Sequence, residues 1–211
     1  MKILAVSDRA APSIYSSQIR NRFDDVEMVL GCGDLSYSYM EYVATMLSVP
    51  CFFVHGNHDH PEYLSDGRTL DEPGGWVDLD GRTVKAKGLI LAGLEGSMRY
   101  VPGRPYQYTE QEMTLKVWRL ALSLLVNRLL DGRYLDILIT HSPPFGIHDG
   151  EDLCHQGFRS FLRLLRRFRP RYLLHGHYHN YGPAAQQTQY QSTMVVNVDP
   201  FHVIELETPE C

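Results

Sequence analysis

The chain has 211 residues, of which 44% are hydrophobic and 21% charged, with a formal net charge of −5. That is an ordinary globular balance on a chain long enough to bury a substantial core. The acidic sum argues against a nucleic-acid backbone as main partner, and no run approaches the ~20 apolar residues of a membrane-spanning helix.

From the N-terminus, KILAVS, VEMVLG and PCFFVHG are short apolar runs of buried-strand type. The stretches between them read as helices, and the alternation predicts βαβ units. Residues 75–94 differ: Asp80-Gly81 is a hairpin signal between two alternating runs, and GLILAG follows as another strand. Residues 108–130 are the longest helical candidate. Thr109 opens TEQE, a capping residue with acids in the first turn, and Met113, Val117, Leu120 and Leu124 mark the apolar face. YLDILIT is a strand. Phe158, Phe161, Leu162, Leu165 and Phe168 then define a second amphipathic helix, with Arg159, Arg163, Arg166 and Arg167 on a solvated side. RYLLHG is a further strand, and TMVVNVD with FHVIELE is expected to close the chain as a hairpin or adjacent pair. Segments 61–75 and 96–107, rich in Gly, Pro and Asp, read as loops. No repeat interrupts the pattern, and residues 1–211 are expected to form one domain.

The cysteines, Cys32, Cys51, Cys154 and Cys211, make no C-x-x-C pair. A reducing, cytoplasmic compartment without disulfides is the expectation, with Cys32 and Cys51 as small core residues. MKILAVSD is too short an apolar run for a signal peptide.

Five of the strands each end in a polar group. Asp8 follows KILAVS and Asp34 follows VEMVLG. Asn57, His58 and Asp59 follow PCFFVH, His141 follows YLDILIT, and His177 and His179 follow RYLLH. Alone, each has a plain structural reading: a helix N-cap for an aspartate, a surface histidine, a turn for GNHD, an alternating strand for GHYH. Five strand exits of this kind in series are hard to explain as caps and turns. In open α/β sheets, ligands gather at the carboxyl ends of strands, and these side chains are of metal-binding type. His175 and His55 lie inside their strands and read as core or supporting histidines.

The order Asp…Gly-Asp…Gly-Asn-His-Asp…His…Gly-His-x-His, from Asp8 to His179, resembles the calcineurin-like metallophosphoesterase superfamily. GRPYQYTEQEM and HSPPFGIHDGED are similar to a small bacterial branch of it. The resemblance implies an α/β fold, a four-layer sandwich of two mixed β-sheets packed face to face and flanked by α-helices. It also implies two metal ions: Asp34 would bridge them, Asn57, His141 and His177 would complete one site, and Asp8 and His179 would hold the other. The spacing of His177 and His179 suits ions ~3.5–4 Å apart. Mn or Fe is preferred, with Zn possible, since the ligand set lacks thiolate. His58 would stand over the phosphoryl oxygens as stabiliser or proton donor, and Asp59 would orient its ring and favour its charged form. The implied activity is hydrolysis of a small phosphate mono- or diester by a metal-activated water.

One position departs from the family pattern. Where Asp-x-His is usual, this chain reads Asp8-Arg9-Ala10. Water could fill the gap, His202 or His155 could reach in, or the site with Asp8 and His179 is weak or empty. Arg9 is a candidate contact to the substrate phosphate, against the plain reading of a solvated arginine. The loss also sustains an alternative: a catalytically impaired interaction or scaffold protein on the same fold. A nuclease is disfavoured, for want of a basic groove. Selectivity would lie in segments 36–42, 61–75, 96–107 and 145–157, where Tyr37, Tyr39, Tyr100 and Tyr106 either stack on a substrate ring or pack. Oligomeric state has no signature in the sequence.

Overall fold

The computed structural model describes residues 1–179 and 185–206. In chain order β1 (Lys2–Val6), the single-turn α1 (Ile19–Arg22), β2 (Val26–Gly31), α2 (Tyr37–Leu47) and β3 (Cys51–Phe53) come first. Next are β4 (Glu62–Tyr63), β5 (Thr69–Leu70), β6 (Trp76–Asp78), β7 (Thr83–Ala86), β8 (Leu89–Leu94), β9 (Ser97–Met98) and β10 (Gln107–Tyr108). The remainder is α3 (Glu110–Asp131), β11 (Ile137–Thr140), α4 (Arg159–Phe168), β12 (Tyr172–His175), β13 (Gln187–Tyr190), β14 (Thr193–Asn197) and β15 (Phe201–Glu205).

Two mixed sheets result. One has the order β15-β1-β2-β3-β6, antiparallel only at β15. The other runs β13-β14-β12-β11-β8-β7, with antiparallel strands at both ends. Alternation of side chains along each strand sets the layers. Ile3, Met28 and Leu30 of the first sheet meet Leu89, Leu91, Ile137, Leu174 and Val196 of the second in a shared core. On the outer face of the first sheet, Leu4, Val6 and Val29 pack against Ile14, Ile19, Met40 and Val43. On the outer face of the second, Ile90, Ala92, Leu138 and Leu173 meet Met113, Leu120 and Leu124 of α3 and Phe161 and Leu165 of α4. The result is the expected four-layer sandwich.

Local chemistry explains the long helix. The Thr109 side chain accepts the Glu112 N–H at 3.3 Å, and the Glu112 carboxylate accepts the Thr109 N–H at 2.7 Å. This reciprocal box satisfies orphan donors at the N-terminus, and Gly132, at φ 73°, turns the chain out of α3. On α4 the buried face uses Leu164 beside Phe161, Leu165 and Phe168, while Leu162 is only half-buried.

Four expectations are corrected. Asp80-Gly81 does not close a hairpin: β6 pairs parallel with β3, whereas β7 pairs antiparallel with β8, so the chain changes sheets there. The hairpin turn is Lys87-Gly88, at φ 50° and 78°. TMVVNVD and FHVIELE do not pair either, since β14 lies beside β12 and β13 and β15 pairs with β1. Both runs carry a buried face, but the faces belong to different sheets. The antiparallel partner of β14 is the mostly exposed β13, whose polar QTQY gives no burial pattern. Only four helical residues separate β1 from β2, and segment 36–42 is mostly the start of α2, with Tyr37 and Tyr39 packed in the core. Cys32 and Cys51 are buried as free thiols, and Cys211 lies outside the described residues. No helix among the described residues is long and apolar enough to cross a membrane.

Candidate metal centre

The exits of β2, β3, β11 and β12 deliver four side chains to one point. Donor atoms of Asp34, His141 and His177 all lie within 4.8 Å of one another. His141 Nε2 is 3.3 Å from Asp34 Oδ2, 3.1 Å from His177 Nδ1 and 3.0 Å from Asn57 Oδ1. Ligands about 2.0–2.1 Å from a tetrahedral ion stand about 3.4 Å apart, so these separations suit one cation.

The surroundings aim the donors. His141 donates its Nδ1–H to the Cys32 carbonyl at 2.7 Å, leaving the Nε2 lone pair inward. The Nε2–H of His177 goes to the Cys154 carbonyl, which turns Nδ1 inward. Asn57 gives an N–H to the Tyr100 hydroxyl at 3.1 Å, so its amide oxygen faces the others. Such outer partners fix tautomer and orientation at metal sites. The backbone is also constrained: Asp8, Asp34 and His177 hold φ values of 61°, 57° and 68°, a left-handed region uncommon for non-glycine residues. A Cβ on Gly56 would lie 2.0 Å from Asp34 Oδ1, and one on Gly176 1.8 Å from Ser7 Oγ. Only glycine lets the exits approach this closely.

Electrostatics follow from the crowding. Burial would raise the Asp34 pKa, but the charge and hydrogen bond of His141, with the His58 N–H, hold it well below the ordinary carboxylate range. For His141, burial is outweighed by Asp34, Asp8 and the Cys32 carbonyl, and its pKa is pushed up to about 9. His177 goes the other way, to about 3, through burial and then the neighbouring His141 charge. Inward lone pairs on four side chains repel unless a cation lies among them. In the metal-free protein a proton on His141 serves, and a divalent ion fits the same place.

The residues expected to hold a second ion do not close around one. Asp8 is brought near, but both its oxygens accept the His177 N–H, at 3.1 and 3.0 Å. Burial lifts its pKa to about 6. His179 Nδ1 faces Asp199 Oδ2 at 3.7 Å. Arg9 grips the same carboxylate side-on, Nε to Oδ1 at 2.9 Å and a terminal nitrogen to Oδ2 at 2.8 Å. Ala10 offers no donor. His202 touches Gln187, and His155 pairs with Asp152 at 2.8 Å, its ring centroid 5.3 Å from that of His177. Among the described residues, Asp8 and His179 join no candidate ligand cluster.

His58 is exposed, and its N–H donates to Asp34 Oδ1 at 2.8 Å. It lines a cleft of about 180 Å³ with Asp34, Tyr37, Asp59 and Glu62. The expectation that Asp59 orients His58 is corrected: the Asp59 carboxylate accepts the Gly56 N–H at 2.9 Å and lies 3.5 Å from His55 Nδ1. It braces the turn from inside. His175 is fully buried; its Nδ1–H donates to the Gly176 carbonyl and its Nε2 accepts from His148, whose other nitrogen accepts from Thr188. Tyr106 stacks on His55 with ring centroids 4.5 Å apart.

Sequence reasoning missed Asp199 and the two carbonyls, and it named Tyr100 only as a stacking or packing residue, not as the partner of Asn57. Asp199 had a signal, since VVNVD is another apolar run ending in an acid. Tyr100 had only its loop, and a backbone carbonyl has none.

The family model described as calcineurin-like phosphoesterase matches residues 1–181. No curated protein sequence matches the chain. One solved structure superposes with a TM-score of 0.62 at 12% identity, over 93% of this chain and 90% of its own. The TT1561 protein of Thermus thermophilus does so with a TM-score of 0.59 at 16% identity, over 93% of this chain and 88% of its own. At these identities the likenesses speak for the fold.

Proposed function

This chain belongs to the calcineurin-like phosphoesterases, and from that premise we propose that it hydrolyses small phosphate esters with a metal bound by Asp34, Asn57, His141 and His177. The observation that carries the reading is the inward convergence of their donor atoms, with His141 Nε2 within 3.3 Å of the other three. A divalent ion held there, Mn or Fe by preference and Zn as the alternative, would polarise the phosphoryl oxygen and bring the pKa of a water toward neutrality. The protein's own part is positional. Asp34 is fixed by the His58 N–H, and the Cys32 and Cys154 carbonyls each hold one ring N–H, so that the other nitrogen of each imidazole faces the ion. His58, exposed at the cleft, would hydrogen-bond a phosphoryl oxygen or protonate the leaving group.

The test is turnover of bis(p-nitrophenyl) phosphate and p-nitrophenyl phosphate with added Mn²⁺ and with chelator. Hydrolysis that needs metal is expected. Asp34→Ala should remove nearly all of it, and His58→Ala should lower kcat about a hundredfold. Unchanged turnover in either variant would overturn the assignment.

A second reading, a non-catalytic interaction protein, is favoured by two observations. The second ligand set does not close, and α3 exposes Leu115, Trp118, Leu122, Leu125 and Leu129 at the three-four spacing of a helix-pairing seam. Absence of hydrolysis with every metal tried would decide for it.

A further inference from the structure

Resting on the metal-dependent reading above, we infer that this centre takes one metal ion per chain, and that the Arg9 guanidinium, clamped on buried Asp199, supplies the second positive charge toward the phosphoryl group.

Three features lead there. The first is that Asp34, Asn57, His141 and His177 form a complete set for one ion without help from Asp8 or His179. The second is that the components of a second set are engaged differently. Both Asp8 oxygens accept the His177 N–H, and Ala10 stands where a histidine would be. His179 Nδ1 is 3.7 Å from the Asp199 oxygen that a terminal nitrogen of Arg9 holds at 2.8 Å. A cation bound by His179 would therefore sit against a fixed guanidinium, and like charges at such range repel. The third is that Arg9 is not placed to leave. The Asp199 side chain has 0% exposure, and a buried carboxylate stripped of its partner is strongly unfavourable.

Charge points the same way. Asp8, Asp34 and Asp199 bring three negative charges to the centre when ionised. One guanidinium and one divalent ion cancel them, with the histidines neutral. A second divalent ion would leave the pocket doubly positive. Arg9 adjoins Asp8 in the chain, and Asp8 accepts the N–H of His177, one of the four residues of the ligand set. A guanidinium is a donor suited to phosphoryl oxygens.

Metal-free protein titrated with Mn²⁺ by calorimetry, with bound metal counted by elemental analysis after gel filtration, should take one equivalent. Its electron paramagnetic resonance spectrum should be that of an isolated Mn²⁺. Two equivalents, or a spin-coupled spectrum, would overturn the inference and leave the phosphoesterase reading standing; no bound metal would overturn both. The double substitution Arg9→Ser with Ala10→His rebuilds the usual motif and should raise the count to two. A count that stays at one would remove Arg9 and Ala10 as the cause. The charge role is read by inorganic phosphate binding to the Mn²⁺-loaded protein. Arg9→Ala should weaken it about tenfold or more and Arg9→Lys only a few-fold. Equal affinity in Arg9→Ala would refute that role. Should Arg9→Ala not fold, Arg9→Gln replaces it, and the stoichiometry of the unaltered chain still decides the first claim.

Discussion

Two backbone carbonyls decide which nitrogen of each central histidine is offered inward. Cys32 takes the Nδ1–H of His141, and Cys154 takes the Nε2–H of His177. Tyr100 does the same service for Asn57 by accepting its amide N–H at 3.1 Å. Tyr100→Phe should therefore weaken Mn²⁺ binding about tenfold by calorimetry, with little change in melting temperature. Retention of full affinity would mean that the amide needs no such partner. The identities of Asp34, Asn57, His141 and His177 were legible because side-chain type at a strand exit carries the chemistry. Their orientation was not, because it is set by carbonyls that every residue has and by a loop tyrosine with no distinguishing neighbours. Asp59 shows the limit from the other side. Adjacency in sequence suggested His58 as its partner, but the tight turn points the carboxylate back to Gly56 and His55.

Among elements, the strands and long helices were readable and their pairing was not. Short apolar runs located β1, β2, β8, β11, β12 and β14, and the capping signal located α3. Which sheet a strand joins depends on which of two apolar faces it covers, and β6, β7, β14 and β15 all look alike in that respect. The exits matter more than the pairing for the site. Gly176 donates its N–H to the His141 carbonyl at 3.1 Å, and His177 reaches Asp8 across the sheets. A Cβ on Gly176 would lie 2.2 Å from Asp8 Oδ2. Gly176→Ala should thus push β12's exit away from β1 and abolish tight Mn²⁺ binding, while circular dichroism stays near that of the unaltered protein. Tight binding in that variant would show that the approach of the two exits is dispensable.

At the scale of the molecule, the buried centre sets a pH profile for the metal-free protein. His175 and His177 are both lowered to about 3, from an ordinary 6.5, chiefly by burial. Their folded pKa values lie below the unfolded ones, so the stability they contribute is present above pH 6.5 and lost as pH falls toward 3. Each alone would give a slope of about 1.4 kcal/mol per pH unit. Asp8, raised to about 6 from 3.8, opposes one of them: its contribution is lost as pH rises from 3.8 to 6. His141, raised to about 9, contributes stability below pH 6.5 that is lost as pH rises through 9. Urea denaturation should accordingly find maximal stability near pH 6.5. A steady gain from pH 6.5 to 9 would contradict the assignment of His141 as the buried cation. The layered architecture itself was legible in the run of strand and helix patterns. What could not be read was the closure of the first sheet, where β1 lies between β2 and β15 and the Met1 amino group meets the Leu206 carbonyl at 2.9 Å. During synthesis β1 is made long before β15, its second neighbour in the sheet. Until then one edge of it is bare and Arg9 has no Asp199 to hold, so the nascent chain must keep β1 from wrong pairings while the elements between are made.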